Sequence, residues 1–103
     1  MAEKSLTDLG ANCSQTTTDI TLNKADLGLT GAICTLDQII AAIAIKAKTV
    51  LTQEVFNNEP NQNVYLSDGF SSFTTKGETS YQVKQITINL AKLDDTTLNP
   101  NDY

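Results

Sequence analysis

Apolar residues come singly or in short bursts along most of this chain, and one stretch departs from that habit: TLDQIIAAIAIKAKTVL, residues 35–51. In and just before it, Ile33, Leu36, Ile40, Ile43, Ala47 and Val50 recur at intervals of three, four, three, four and three. That spacing puts them on one helix face and reads as a heptad seam, with Ile33, Ile40 and Ala47 at a and Leu36, Ile43 and Val50 at d. Thr35 and Gln38 have the spacing of a capping box, and Cys34 and Ile39 stand where a hydrophobic staple would close over it. Asp37 in the first turn and Lys46 and Lys48 near the end complement the helix dipole. The far end is ambiguous, because TVLTQEVF (49–56) either continues the helix or becomes a strand.

Elsewhere the period changes to two. Ile86, Ile88 and Leu90 alternate with Gln85, Thr87 and Asn89, which predicts a strand with one apolar face. VYL (64–66) and SFTT (72–75) predict shorter strands, and Lys76-Gly77-Glu78 a hairpin turn before TSYQV. NNEPNQN (57–63) is a loop punctuated by Pro60. The first 31 residues read as an extended, turn-rich arm. Asp8-Leu9-Gly10 and Asp26-Leu27-Gly28 each look like a helical turn stopped by glycine, with Asn23 placed to cap the second. Between them Ile20 and Leu22 alternate with polar neighbours, as in a short edge strand.

Three uses of the central helix compete. Spanning a membrane needs roughly twenty apolar residues, and the run from Ile39 stops after seven at Lys46. An interfacial helix wants a basic polar face, which this one lacks. A private core would use one apolar stripe. Here Ile39 and Ile45, with Ala41, Ala42 and Ala44, carry apolar surface well round the helix, more than one small sheet covers. A bundle of copies covers it, and Ile at both a and d favours three or more strands over two. The expectation is an α+β fold: an extended N-terminal arm (1–31), a central helix and its exit (32–56) forming a trimeric bundle, and C-terminal antiparallel β segments with an acidic tail (57–103).

Composition narrows the chemistry. With 103 residues the chain is one small domain with a thin stability margin, which association would improve. Twelve acids face seven basic residues, all of them lysine, so no cluster suits phosphates, and nucleic acid is excluded as a partner. Histidine is absent, which removes Ser-His-Asp and Cys-His catalysis and imidazole metal ligands. Cys13 and Cys34 are too few and too far apart for a zinc site. Met1 opens onto polar AEKSLTDLG without the pattern of a secretory signal, so the expected setting is a reducing cytoplasm with both thiols free. Asp94-Asp95 is the one acidic doublet, and neighbours on an extended chain point to opposite faces. Glu59, Asp68, Asn99, Asn101 and Asp102 lack the spacing of a calcium loop. The expectation is no enzyme, no cofactor and no metal.

LNKADLGLTGA, residues 22–32, resembles short Lys-Ala-Asp-x-Gly-Leu segments of bacteriophage tail-fibre and fibre-like proteins, through Lys24, Ala25, Asp26, Gly28 and Leu29. Those proteins commonly continue with Gly-Asn-Val-Asp, where this chain has Thr30-Gly31-Ala32, so the likeness covers about a tenth of the chain. The resemblance implies a trimeric virion structural protein that decorates a capsid or attaches a fibre, assembled in the host cytoplasm. It implies an arm that grips a capsid or tail protein, with Ile20, Leu22, Leu27 and Leu29 as its apolar contacts. The β-rich part would then face outward, with Tyr65, Phe70, Phe73 and Tyr81 offered to a host glycan or protein. The competing reading is a monomeric bacterial adaptor or binding domain whose helix packs on its own sheet.

Overall fold

A computed structural model describes residues 3–91 and 98–103. It combines helices with antiparallel strands in an α+β arrangement: α1 (Leu6–Leu9), β1 (Ser14–Gln15), β2 (Ile20–Thr21), α2 (Leu36–Val50), α3 (Gln53–Asn58), β3 (Val64–Asp68), β4 (Ser72–Lys76), β5 (Thr79–Val83) and β6 (Ile86–Leu90).

The N-terminal segment is folded on itself rather than extended. Its two Asp-Leu-Gly units meet: a Cβ at Gly10 would lie 2.6 Å from the Asp26 Cβ, an approach open only to glycine. The Asp26 carboxylate accepts the Asn12 backbone N–H at 2.7 Å and the Asn12 amide at 3.2 Å. Asn23 caps the second turn by accepting the Asp26 N–H at 3.0 Å. That turn ends in a Schellman motif, with Leu29 N–H bonded to Lys24 O, Gly28 N–H to Ala25 O, and Gly28 at φ 79°. Gly10, at φ −170°, ends α1 in extended backbone instead, because its smallness serves the contact and not the turn. Cys13 and Leu27 are buried, and β1 pairs with β2 across the Thr16–Asp19 turn. Local periodicity misses this because the contacts that join the two Asp-Leu-Gly units run between residues fourteen or more apart in a Thr- and Asn-rich stretch.

The central helix starts where its capping box places it. Thr35 Oγ1 accepts the Gln38 N–H at 3.2 Å, and Gln38 Oε1 accepts the Thr35 N–H at 2.8 Å. It stops at Leu51, and Thr52 caps a separate short helix, α3, by accepting the Val55 N–H at 3.2 Å. This resolves TVLTQEVF into a break followed by a new helix.

Residues 63–91 form one long antiparallel ribbon. β3 and β6 pair from Val64↔Leu90 to Asp68↔Ile86, and β4 and β5 from Ser72↔Val83 to Lys76↔Thr79. Between the halves three residues on one strand face two on the other, a bulge held by Gly69 N–H bonded to Gln85 O at 2.7 Å. Gln85 folds its side chain over Gly69 and accepts the Phe70 N–H at 3.2 Å. At the tip Gly77 takes φ 60°, the positive value a primed hairpin turn needs at its first central residue. The basal half carries Val64, Leu66, Ile86, Ile88 and Leu90 on one face, as their register requires. α2 packs on β3 and β6, and α3 packs on β3 with Phe56 against Tyr65, ring centroids 4.8 Å apart. The Leu66 N–H, donated to Leu51 O at 2.8 Å, ties the sheet to the helix end.

The resulting core is small. Among the described residues Gly10 is buried, the buried side chains are those of Cys13, Leu27, Ala42, Ala47, Val55 and Leu66, and no side chain is less than 2% exposed. The chain exposes 7916 Å², against about 5,650 Å² expected of a folded monomer of its mass. Its radius of gyration is 15.9 Å, where about 13 Å fits a compact domain of this length.

Candidate assembly surface

The heptad stripe is divided at its middle. Ala47 is buried and Ile43 and Val50 are half-buried, because α1 and the start of β3 lie against that end of α2; Leu6, Leu9 and Val64 line a shared cavity of about 410 Å³ with them. Ile33, Leu36 and Ile40 are uncovered, at 92%, 72% and 58% exposure. Leu36 and Ile40 belong to the first part of α2, and Ile33 precedes the cap. The six predicted seam residues therefore do two jobs: three face the chain's own sheet and α1, and three face outward.

Beside the free half runs a groove of about 400 Å³. Ile40, Ala41, Ala44 and Ile45 form its helical wall and Ile86 and Gln85 the opposite one. The Lys48–Asp68 pair, N to O 2.8 Å, stands at its side, with an exposed carboxylate whose contribution to stability is below about 1 kcal/mol. The groove has an apolar floor, with the Lys48–Asp68 pair and Lys84 as its charged lining. Nothing in it resembles acid–base or nucleophilic machinery.

The other predicted contact residues are distributed unevenly. Of the arm group, Leu27 is buried, Leu22 and Leu29 are half-buried in the N-terminal fold, and only Ile20 is open, at 69%. The four aromatics do not converge. Tyr65 packs on Phe56, Phe70 stands exposed at the bulge, and the ribbon register puts Phe73 (paired with Gln82) and Tyr81 (paired with Thr74) on opposite faces. Ile88 and Leu90, which the alternation places on one apolar face, are 57% and 44% exposed. The signal for that was the element count: a single helix, α2, packs on both strands of this two-stranded sheet and leaves Ile88 and Leu90 of β6 largely open.

Titratable groups offer little chemistry. The Asp8 carboxyl is held below its ordinary range chiefly by the Ser5 backbone N–H, 2.8 Å away, as a helix-capping acid should be. Cys13 and Cys34 are free, the first buried and the second half-buried. Among the described residues no three His, Cys, Asp or Glu side chains gather closely enough to hold a metal ion. Asp94-Asp95 lies outside the described residues. No helix among them is long and apolar enough to cross a membrane. The Tyr103 hydroxyl, on the cavity between α1 and α2, is buried without a hydrogen-bond partner among the described residues. The chain matches no family model, no curated protein and no solved structure.

Proposed function

We propose that this chain is a non-enzymatic structural protein that works as a homo-oligomer, a trimer foremost, in a bacteriophage particle as a head-fibre, decoration or fibre-attachment component. The observation that carries the assembly reading is the uncovered stripe Ile33, Leu36 and Ile40 on a chain with roughly 2,300 Å² more surface than its mass predicts. That excess is of the size that obligate interfaces remove. Ile at both core positions supports three copies over two. The particle setting rests on the Lys24–Leu29 likeness to phage fibre segments. In this reading residues 1–31 dock on a capsid or tail protein, with Ile20 as the apolar contact still free, and the β ribbon points away from the particle, towards a host glycan or protein.

Quantitative mass spectrometry of purified particles of the encoding phage tests the setting. The expected result is the chain present at a copy number divisible by three per capsid or per tail; its absence from washed particles removes the virion reading.

One observation favours the monomeric adaptor instead: Ile43, Ala47 and Val50 are already occupied by the chain's own α1 and sheet. For that reading to hold, the outward half of the stripe must stay exposed in solution.

A further inference from the structure

The distal half of the ribbon has no support within its own chain. All ten residues of β4 and β5 are exposed, and neither strand packs substantially on any element but the other. A two-stranded hairpin alone is marginal in water at best. A ribbon lying on a surface keeps one polar face for solvent, but this one carries Phe73 on one face and Tyr81 and Val83 on the other. Either face of such a ribbon therefore has an apolar side chain to offer to a surface outside its own chain.

From these observations we infer that the β4–β5 ribbon of one copy lies across the uncovered N-terminal half of α2 in a second copy. This inference rests on the homo-oligomer reading and says how the copies hold one another. Three observations select a second copy as the occupant. First, the uncovered seam spans only about one heptad, where a self-sufficient coiled coil needs three or four; a helix bundle alone leaves most of the excess surface bare. Second, the lengths agree: five strand residues reach about 17 Å, and the stretch from Leu36 to Ile45 is about 15 Å long. Third, the area agrees: an excess of roughly 2,300 Å² divides into two contacts of about 1,100 Å² per copy. A ribbon-to-helix contact is heterologous, giving and receiving through different patches, and it must close into a ring or run on as a filament. Three copies close the ring around the short helical seam.

The test is disulfide trapping between two differently tagged full-length preparations, both with Cys34→Ser. One carries Phe73→Cys or Tyr81→Cys on the ribbon, the other Ile40→Cys on the helix. They are unfolded together, refolded, oxidised and resolved by size. The expected result is mixed ribbon–helix dimers exceeding helix–helix dimers at least threefold, for at least one of the ribbon cysteines. A second variant replaces Tyr81 and Val83 with serine, and its mass should fall to that of a monomer while its helical circular dichroism is kept. Helix–helix dimers in excess, with the oligomer intact in the serine variant, overturn the ribbon contact and leave the homo-oligomer standing. No cross-link of either kind, with a monomeric parent, overturns both.

Discussion

Three glycines at different distances from their neighbours separate shape from conformation at the residue scale. Gly28 sits at φ 79° with open space around it, so Gly28→Ala meets only backbone strain and should cost about 1–2 kcal/mol. Gly10 has an ordinary extended backbone but no room beside Asp26, so Gly10→Ala must push the two Asp-Leu-Gly units apart, at about 1–3 kcal/mol. Gly31, whose nearest neighbour is 3.5 Å from a built Cβ, is the control, and its alanine variant should stay within about 0.5 kcal/mol of the parent. Urea unfolding of the three variants checks the order; equal losses at all three would contradict it. The glycine at 28 was legible in the sequence as a helix stop. The one at 10 looked the same and was not, because its partner Asp26 is sixteen residues away.

At the scale of elements, what the sequence shows and what it hides follow from range. The capping box Thr35–Gln38 acts within four residues, and the helix starts where it says. The alternation from Ile86 to Leu90 and the Gly77 turn are also local, and both stand in the fold. The run YQVKQITINLAKL (81–93), which reads from the sequence as one longer strand, holds the end of one strand and the whole of a second, separated by the Lys84–Gln85 side of a bulge, and a bulge is a property of the pair, not of either strand. The N-terminal arm hid its fold because its stabilising contacts join a carboxylate to backbone and amide groups, leaving no hydrophobic period. The bulge itself is testable. A Cβ at Gly69 would lie 2.9 Å from the Gln85 Cβ. Gly69→Ala should therefore cost about 1–3 kcal/mol and loosen the register where the two ribbon halves join. Amide exchange at Gly69 and Phe70 should accelerate in the variant; unchanged protection would mean that the ladder bends for another reason.

For the whole molecule, the division of the α2 stripe is the feature on which the proposed function turns. Leu36 and Ile40 are open, so Leu36→Asp with Ile40→Asp should change the folding of a single chain by no more than about 1 kcal/mol, as surface substitutions usually do. The same pair should abolish association. Ile43 is half-buried beside α1, so Ile43→Asp should instead destabilise the chain itself by about 2–4 kcal/mol, through a charge placed against Leu6, Leu9 and Val64. Thermal melts paired with sedimentation separate the two effects; loss of folding in both would make the stripe one continuous private core. With six buried side chains among the described residues and a ribbon standing clear of them, the chain depends, on the proposed reading, on what its copies supply.

The most direct test of that dependence is the solution mass of the unmodified protein by light scattering, over a hundredfold range of concentration. The account predicts a species about three times the 11.1 kDa chain that persists on dilution. A constant mass of one chain, with the ribbon amides and the Leu36–Ile40 surface free in solution, would contradict it.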